Sequence, residues 1–165
     1  MPTAALTSYS VVLALHIIAV IAAFGLPLAY PLLMPYVRRH HPRAMPGLHD
    51  VQHRLNQRLT GPGTVLILLF GAFMASKAHL WSKVWVDVPL GILVVIGALG
   101  GAVIVPASRR LADLARADVE GAGVGGEVTF GPEYARVYGR YMATEILLGA
   151  LVLTAIFFMA AKPFG

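Results

Sequence analysis

Hydrophobic positions in this chain fall into four long blocks separated by polar connections. Met1–Val37, Thr60–Ser76 and Val88–Ser108 contain no Asp, Glu, Lys or Arg, and Tyr141–Ala161 contains only Glu145. An α-helix rises about 1.5 Å per residue, so about 20 apolar residues cross the ~30 Å hydrocarbon core of a bilayer. The blocks therefore predict four membrane-spanning helices, at about 8–37, 63–81, 88–108 and 141–161. The first is long enough to tilt or bend. Pro27, Pro31 and Pro35 recur there every fourth residue, and each removes a backbone donor, which predicts a kinked inner half. No Lys or Arg precedes this block, and its apolar run far exceeds that of a signal peptide, so it reads as a mature span.

The connections carry patterns of their own. In the first, Leu48, Val51, Leu55 and Leu59 recur at three and four residues, predicting a short amphipathic helix on the membrane surface or under the bundle. The third begins with Arg109–Glu120, a helical extension of the third span, and is broken by Gly121–Gly126. Pro132 after Gly131 suits the first turn of a helix leading into the fourth span. The expected fold is all-α: an integral membrane four-helix bundle of up-down topology, a single domain over residues 1–165. The amphipathic helix lies on its cytoplasmic side, between spans one and two.

Composition agrees with this class, at 58% hydrophobic and 13% charged, against about 45–50% and about 25% in soluble domains. Cysteine is absent, which excludes disulfides, Fe–S clusters, thiolate zinc, thiol nucleophiles and covalently attached haem. The net charge of +5 comes from residues that flank apolar blocks, where lipid contacts and orientation signals belong; nucleic acid is not the expected partner. Arg38, Arg39, Arg43, Arg54 and Arg58 lie in the first connection, and Arg109, Arg110, Arg116, Arg136 and Arg140 in or beside the third. The second holds only Lys77 and Lys83. Retention of basic residues on the cytoplasmic side then places both termini outside, with Trp81 and Trp85 at the outer interface.

Few motifs carry chemistry. Gly121–Gly126 satisfies G-x-G-x-x-G, but without a preceding strand it reads as a linker rather than a dinucleotide site. Gly97 and Gly101 form G-x-x-x-G in the third span, a device for close helix packing within the monomer or across a homodimer. His49 and His53 stand one turn apart, a spacing that could offer two imidazoles to a metal, but no third ligand stands at a supporting distance and they read first as a solvated polar face. His40 and His41, beside Arg38 and Arg39, suit headgroup contacts.

Two ionisable groups fall inside spans, where each needs a partner and function is the default hypothesis. His16 sits about 10 Å below the outer surface and offers a ligand for haem iron or copper, with Lys77 and His79 the nearest second ligands by depth. A hydrogen bond to a neighbouring helix is its structural alternative. Glu145 lies about one turn inside the cytoplasmic boundary, and Arg58 and Tyr30 are its expected partners by depth.

Leu15-His16 followed by Phe24-Gly25, the prolines between Gly25 and Pro31, Arg58–Gly63 and the terminal Phe-Met-Ala-Ala-Lys-Pro together resemble the bacterial integral membrane proteins of domain of unknown function 2269. That resemblance implies four helices and a bacterial inner-membrane location. More distantly, a first-span histidine followed by glycine eight or nine residues later is similar to the copper-resistance D proteins and the membrane haem-b protoporphyrinogen oxidase. The oxidase family pairs its histidine with a lysine in a later span, whereas Val88–Ser108 has none; only His16 carries over. Three functional readings follow. One is redox or metal handling through haem b or copper at His16, and another is an accessory subunit packed in a larger membrane complex. The third is a small proton- or ion-coupled transporter using Glu145.

Overall fold

Four long helices account for nearly all of residues 7–163, the part of the chain described by the computed structural model. They span Ser8–His40, Pro42–Lys77, Val84–Gly121 and Pro132–Ala161, with 33, 36, 38 and 30 residues. At about 1.5 Å per residue the first three reach roughly 50 Å, well beyond a ~30 Å hydrocarbon core. Each therefore continues past the membrane on the side of the arginine-rich connections.

Local chemistry explains where the helices begin and break. The first, α1 (Ser8–Phe24), is opened by a capping box in which Thr7 and Ser10 each accept the other's backbone N–H through the side-chain oxygen. It stops before Pro27, which opens a 3₁₀ turn over Pro27–Ala29, and α2 (Tyr30–His40) then resumes. Pro31 falls in the first turn of α2, where no donor is needed. The interruption of the first span thus sits at one proline of the three.

The predicted amphipathic helix exists as α3 (Met45–Leu55), but it is the opening of the second long helix rather than a separate element. It passes through a π-helical turn, Asn56–Thr60, into α4 (Gly61–Lys77). Its buried stripe is Met45, His49, Gln52 and Asn56, whereas Val51 and Leu59 are exposed. In the third long helix, α5 (Val84–Leu99) runs through a second π-helical turn, Gly100–Ile104, into α6 (Val105–Gly121). The fourth, α7 (Pro132–Ala161), is continuous. Its cap residue Gly131 donates its N–H to the Asp118 carboxylate at 3.0 Å.

Within the membrane the helices pack as two pairs, α1 against α4 and α5 against α7, with sparse contact between α4 and α5. Gly63 permits the first pairing: a Cβ there would lie 2.8 Å from the Cβ of Ala23. The outer faces are apolar and exposed, as at Ile21, Leu32, Val94 and Phe157, and only 17–22% of each apolar window is buried within the bundle. Such a surface is suited to lipid and not to water. Beyond the membrane, α3 packs on α6 and α6 on α7, closing the two pairs together around Met34, Met45, Leu111, Tyr134 and Tyr141. This end is further tied by Arg116 to Asp50 at 2.8 Å and by Arg110 to Glu133. The glycine connection is held as well, since Arg43 donates to the carbonyls of Gly123 and Gly126, each at 2.7 Å.

Candidate functional site

Two helix pairs joined mainly at one end leave a space between them. This cavity measures about 330 Å³ and takes its walls from all four long helices, with Phe24 and Leu28, Asn56 and Thr64, Gly97 and Gly101, and Glu145 and Leu148 among its lining. Both π-helical turns border it. Their i to i+5 bonds, Gly61 N–H to the Asn56 carbonyl and Val105 N–H to the Gly100 carbonyl, each accommodate one extra residue in the turn. Such insertions recur at functional sites because they rotate the side chains beyond them.

Glu145 is 5% exposed and supplies the only ionisable group in this lining. Among the described residues it forms no ion pair. The expected partner Arg58 is exposed, while Asn56, two residues before it on the π-helical turn, faces inward. The neighbours of Glu145 are neutral instead. Tyr141, one turn earlier on α7, and Tyr30 of α2 lie beside it, and Asn56 stands next to Tyr141. The hydroxyls of Tyr30 and Tyr141 and the amide nitrogen of Asn56 are buried without a hydrogen-bond partner. The threonines, by contrast, are satisfied: Thr60 donates to the Ala23 carbonyl at 3.2 Å and Thr64 to that of Thr60 at 2.7 Å.

The G-x-x-x-G pair faces this space. A Cβ on Gly97 would come no nearer than 3.9 Å to Thr64, and one on Gly101 would meet nothing within 4 Å. Within the monomer these glycines line the cavity, and the close approach of two backbones falls to Gly63.

His16 is 5% exposed, and its Nδ1 has no hydrogen-bond partner. It borders two cavities of about 50 Å³ each, whose lining is otherwise apolar, with Ile67, Gly71, Leu93 and Met159. Room of that size holds a few water molecules and not a porphyrin. Neither Lys77 nor His79 lines either cavity; among the described residues the other side chain there with a metal-ligating atom is Met159. Phe24, Ile96 and Val152 line both the larger cavity and one of the His16 cavities, forming an apolar partition between Glu145 and His16.

In the extramembrane extension, His49 and His53 address different partners. His49 Nδ1 lies 3.1 Å from Gln52 Oε1, an acceptor, so Nδ1 carries the proton and Nε2 accepts from the Tyr134 hydroxyl at 3.0 Å. His53 Nδ1 lies 3.1 Å from the Val105 carbonyl and 3.2 Å from Ser108 Oγ. Both nitrogens of His49 are thus occupied by protein, and among the described residues no three His, Asp or Glu side chains gather as a metal cluster. Burial pushes the His49 imidazole down to about 4, outweighing the opposing effects of Gln52 and Asp50.

Residues 10–163 match the family model described as "Predicted integral membrane protein (DUF2269)". The chain belongs to this family. No curated protein and no solved structure matches it.

The features of this DUF2269 chain that sequence reasoning missed share one signal. Asn56, Thr60 and Thr64 recur every fourth residue into the second span, a polar stripe that enters an apolar block on one face. Tyr134, Tyr138, Tyr141 and Glu145 form a matching stripe on α7, all buried.

Proposed function

We propose that this four-helix membrane protein binds a compact organic cation at Glu145 and passes it between the two helix pairs. The observation that carries this reading is a buried carboxyl with no counter-charge, facing a cavity of about 330 Å³. A charge at membrane depth requires pairing, and intramembrane carboxyls commonly mark substrate or ion routes. An ammonium group would supply the missing charge, while the apolar walls would hold a small hydrocarbon body. The volume lies at the lower end of ligand pockets, about 300–1,000 Å³, which favours an alkyl- or arylammonium ion over a larger molecule. The second, apolar-walled space at His16 lies further along the same axis, beyond the partition of Phe24, Ile96 and Val152.

Thermal unfolding of detergent-purified protein with a series of alkylammonium ions tests the reading. Saturable stabilisation of the wild type, weaker with uncharged isosteres and absent in Glu145→Gln, is expected. Equal stabilisation of both proteins, or of neither, contradicts it.

The arginine-rich extramembrane end is proposed to face the cytoplasm of a bacterium, with both termini outside, because that end holds most of the basic residues. The native chain lacks cysteine, so single cysteines report directly. Ser82→Cys would react with an impermeant maleimide on intact cells and Gly123→Cys would not; the reverse pattern inverts the topology.

A further inference from the structure

Two buried polar stripes meet above the cavity. On the second long helix His49, Gln52 and Asn56 occupy one face at spacings of three and four, with 0%, 0% and 6% of their surface exposed. On α7, Tyr134, Tyr138, Tyr141 and Glu145 follow at spacings of four, three and four, none more than 7% exposed. The stripes face each other. His49 bonds to Tyr134 and lies edge-on to the Tyr141 ring with centroids 6.4 Å apart, and Asn56 stands beside Tyr141, which stands beside Glu145. A column of polar side chains therefore runs from the extramembrane core down to the membrane carboxyl.

A core built only for stability would not be expected to leave this column so incompletely bonded. Among the described residues, Gln52 Nε2, Asn56 Nδ2 and the hydroxyls of Tyr30, Tyr138 and Tyr141 are buried with no hydrogen bond of full geometry, although Tyr141 stands beside Glu145 and Asn56, and such groups are costly if left dry. Buried water commonly satisfies clustered groups of this kind, with about three hydrogen bonds per molecule. Hydroxyl, imidazole and water can each accept a proton on one lone pair while releasing another. The amides of Gln52 and Asn56 can hold such waters in line. The charged groups facing the column are Arg38, 4.8 Å over the Tyr138 ring, Asp50 beside His49 and tied to Arg116, and Asp118 near Tyr134. Asp50 is half-exposed and marks the solvent end.

We infer that the His49–Gln52–Asn56–Tyr141 column is a water-threaded proton path that loads and unloads Glu145 from the arginine-rich side. A proton taken up near Asp50 travels by successive hydrogen-bond exchange through hydroxyl, imidazole and water to the Glu145 carboxylate; each relay group is left reversed, His49 in its other tautomer, and turns back before the next transfer, while the amides position water without carrying the proton. The inference shares its carboxyl with the carrier reading but needs no ligand. Failure of ammonium binding therefore leaves it standing, and its own failure leaves the cavity as a binding site.

Infrared spectroscopy of the reconstituted, ligand-free protein during exchange into deuterated buffer provides the test. The protonated carboxyl band of Glu145 is assigned by its loss in Glu145→Gln. A fast downshift of that band is expected in the wild type and in Asn56→Asp, with loss of the fast phase in Asn56→Leu. If Asn56→Leu fails to fold, Gln52→Met, which keeps the side-chain shape and removes the amide oxygen and nitrogen, makes the same test. A fast phase retained in the folded Leu or Met variant overturns the path. So does the absence of any Glu145-dependent carboxyl band at every pH at which the protein stays folded.

Discussion

The hydroxyl of Tyr134 donates to Nε2 of His49 across 3.0 Å, joining two side chains 85 residues apart that are both fully enclosed. This bond ties the second and fourth long helices together just outside the membrane. Tyr134→Phe keeps the ring and its stacking on Phe130, at 4.3 Å between centroids, but leaves the imidazole acceptor without a partner. A buried group so orphaned costs about 1–3 kcal/mol. Unfolding of detergent-solubilised protein should show a loss in that range for Tyr134→Phe and no change for the exposed Tyr36→Phe.

Acid should act through the same histidine. In the folded protein His49 stays neutral until about 4, whereas in the unfolded chain it takes up a proton near the ordinary value of about 6.5. Between those values the unfolded state binds more protons, so stability falls as pH drops from about 6.5 towards 4 and the contribution is intact above that window. The loss approaches about 3 kcal/mol at its lower end. The unfolding midpoint measured from pH 7 down to 4.5 should decline in the wild type, and His49→Gln should flatten the decline. Parallel curves would assign the acid sensitivity to other groups.

Two glycines in neighbouring spans should respond in opposite ways. Gly63→Ala forces a methyl to within 2.8 Å of the Ala23 Cβ, and overpacking of this kind destabilises by about 1–3 kcal/mol. Gly101→Ala adds a methyl in open space, and the better helix propensity makes it neutral or stabilising by up to about 1 kcal/mol. Comparing the two unfolding midpoints distinguishes the packing glycine from the cavity glycine.

The four spans were legible because the charge-free blocks and the ~20-residue requirement leave one solution. His16 and Glu145 were legible as buried for the same reason. Of the groups beside Glu145, Tyr30 was legible by depth, whereas Tyr141 and Asn56 were not. Depth placed Arg58 at the right level, but depth does not give the face, and Arg58 is exposed while Asn56 on the same π-helical turn is buried. The leucine repeat at Leu48, Val51, Leu55 and Leu59 misled for a related reason. In this helix the inward stripe includes His49, Gln52 and Asn56, a polar face that periodicity rules assign to solvent. The π-helical turns leave no mark in a 3.6-residue pattern, and G-x-x-x-G records small side chains without saying what fills the space beside them. Gly97 and Gly101 line a cavity between the helix pairs.

Glu145 is a buried carboxyl within the fourth span that faces the cavity. Dicyclohexylcarbodiimide, an apolar reagent that enters from lipid and attacks buried carboxyl groups, measures this in native membranes when the modified residue is mapped by mass spectrometry. Modification concentrated at Glu145, and suppressed when Gly97→Leu or Gly101→Leu fills the cavity, is the predicted result. An unmodified Glu145, or a modification that the cavity-filling variants leave unchanged, would contradict the account.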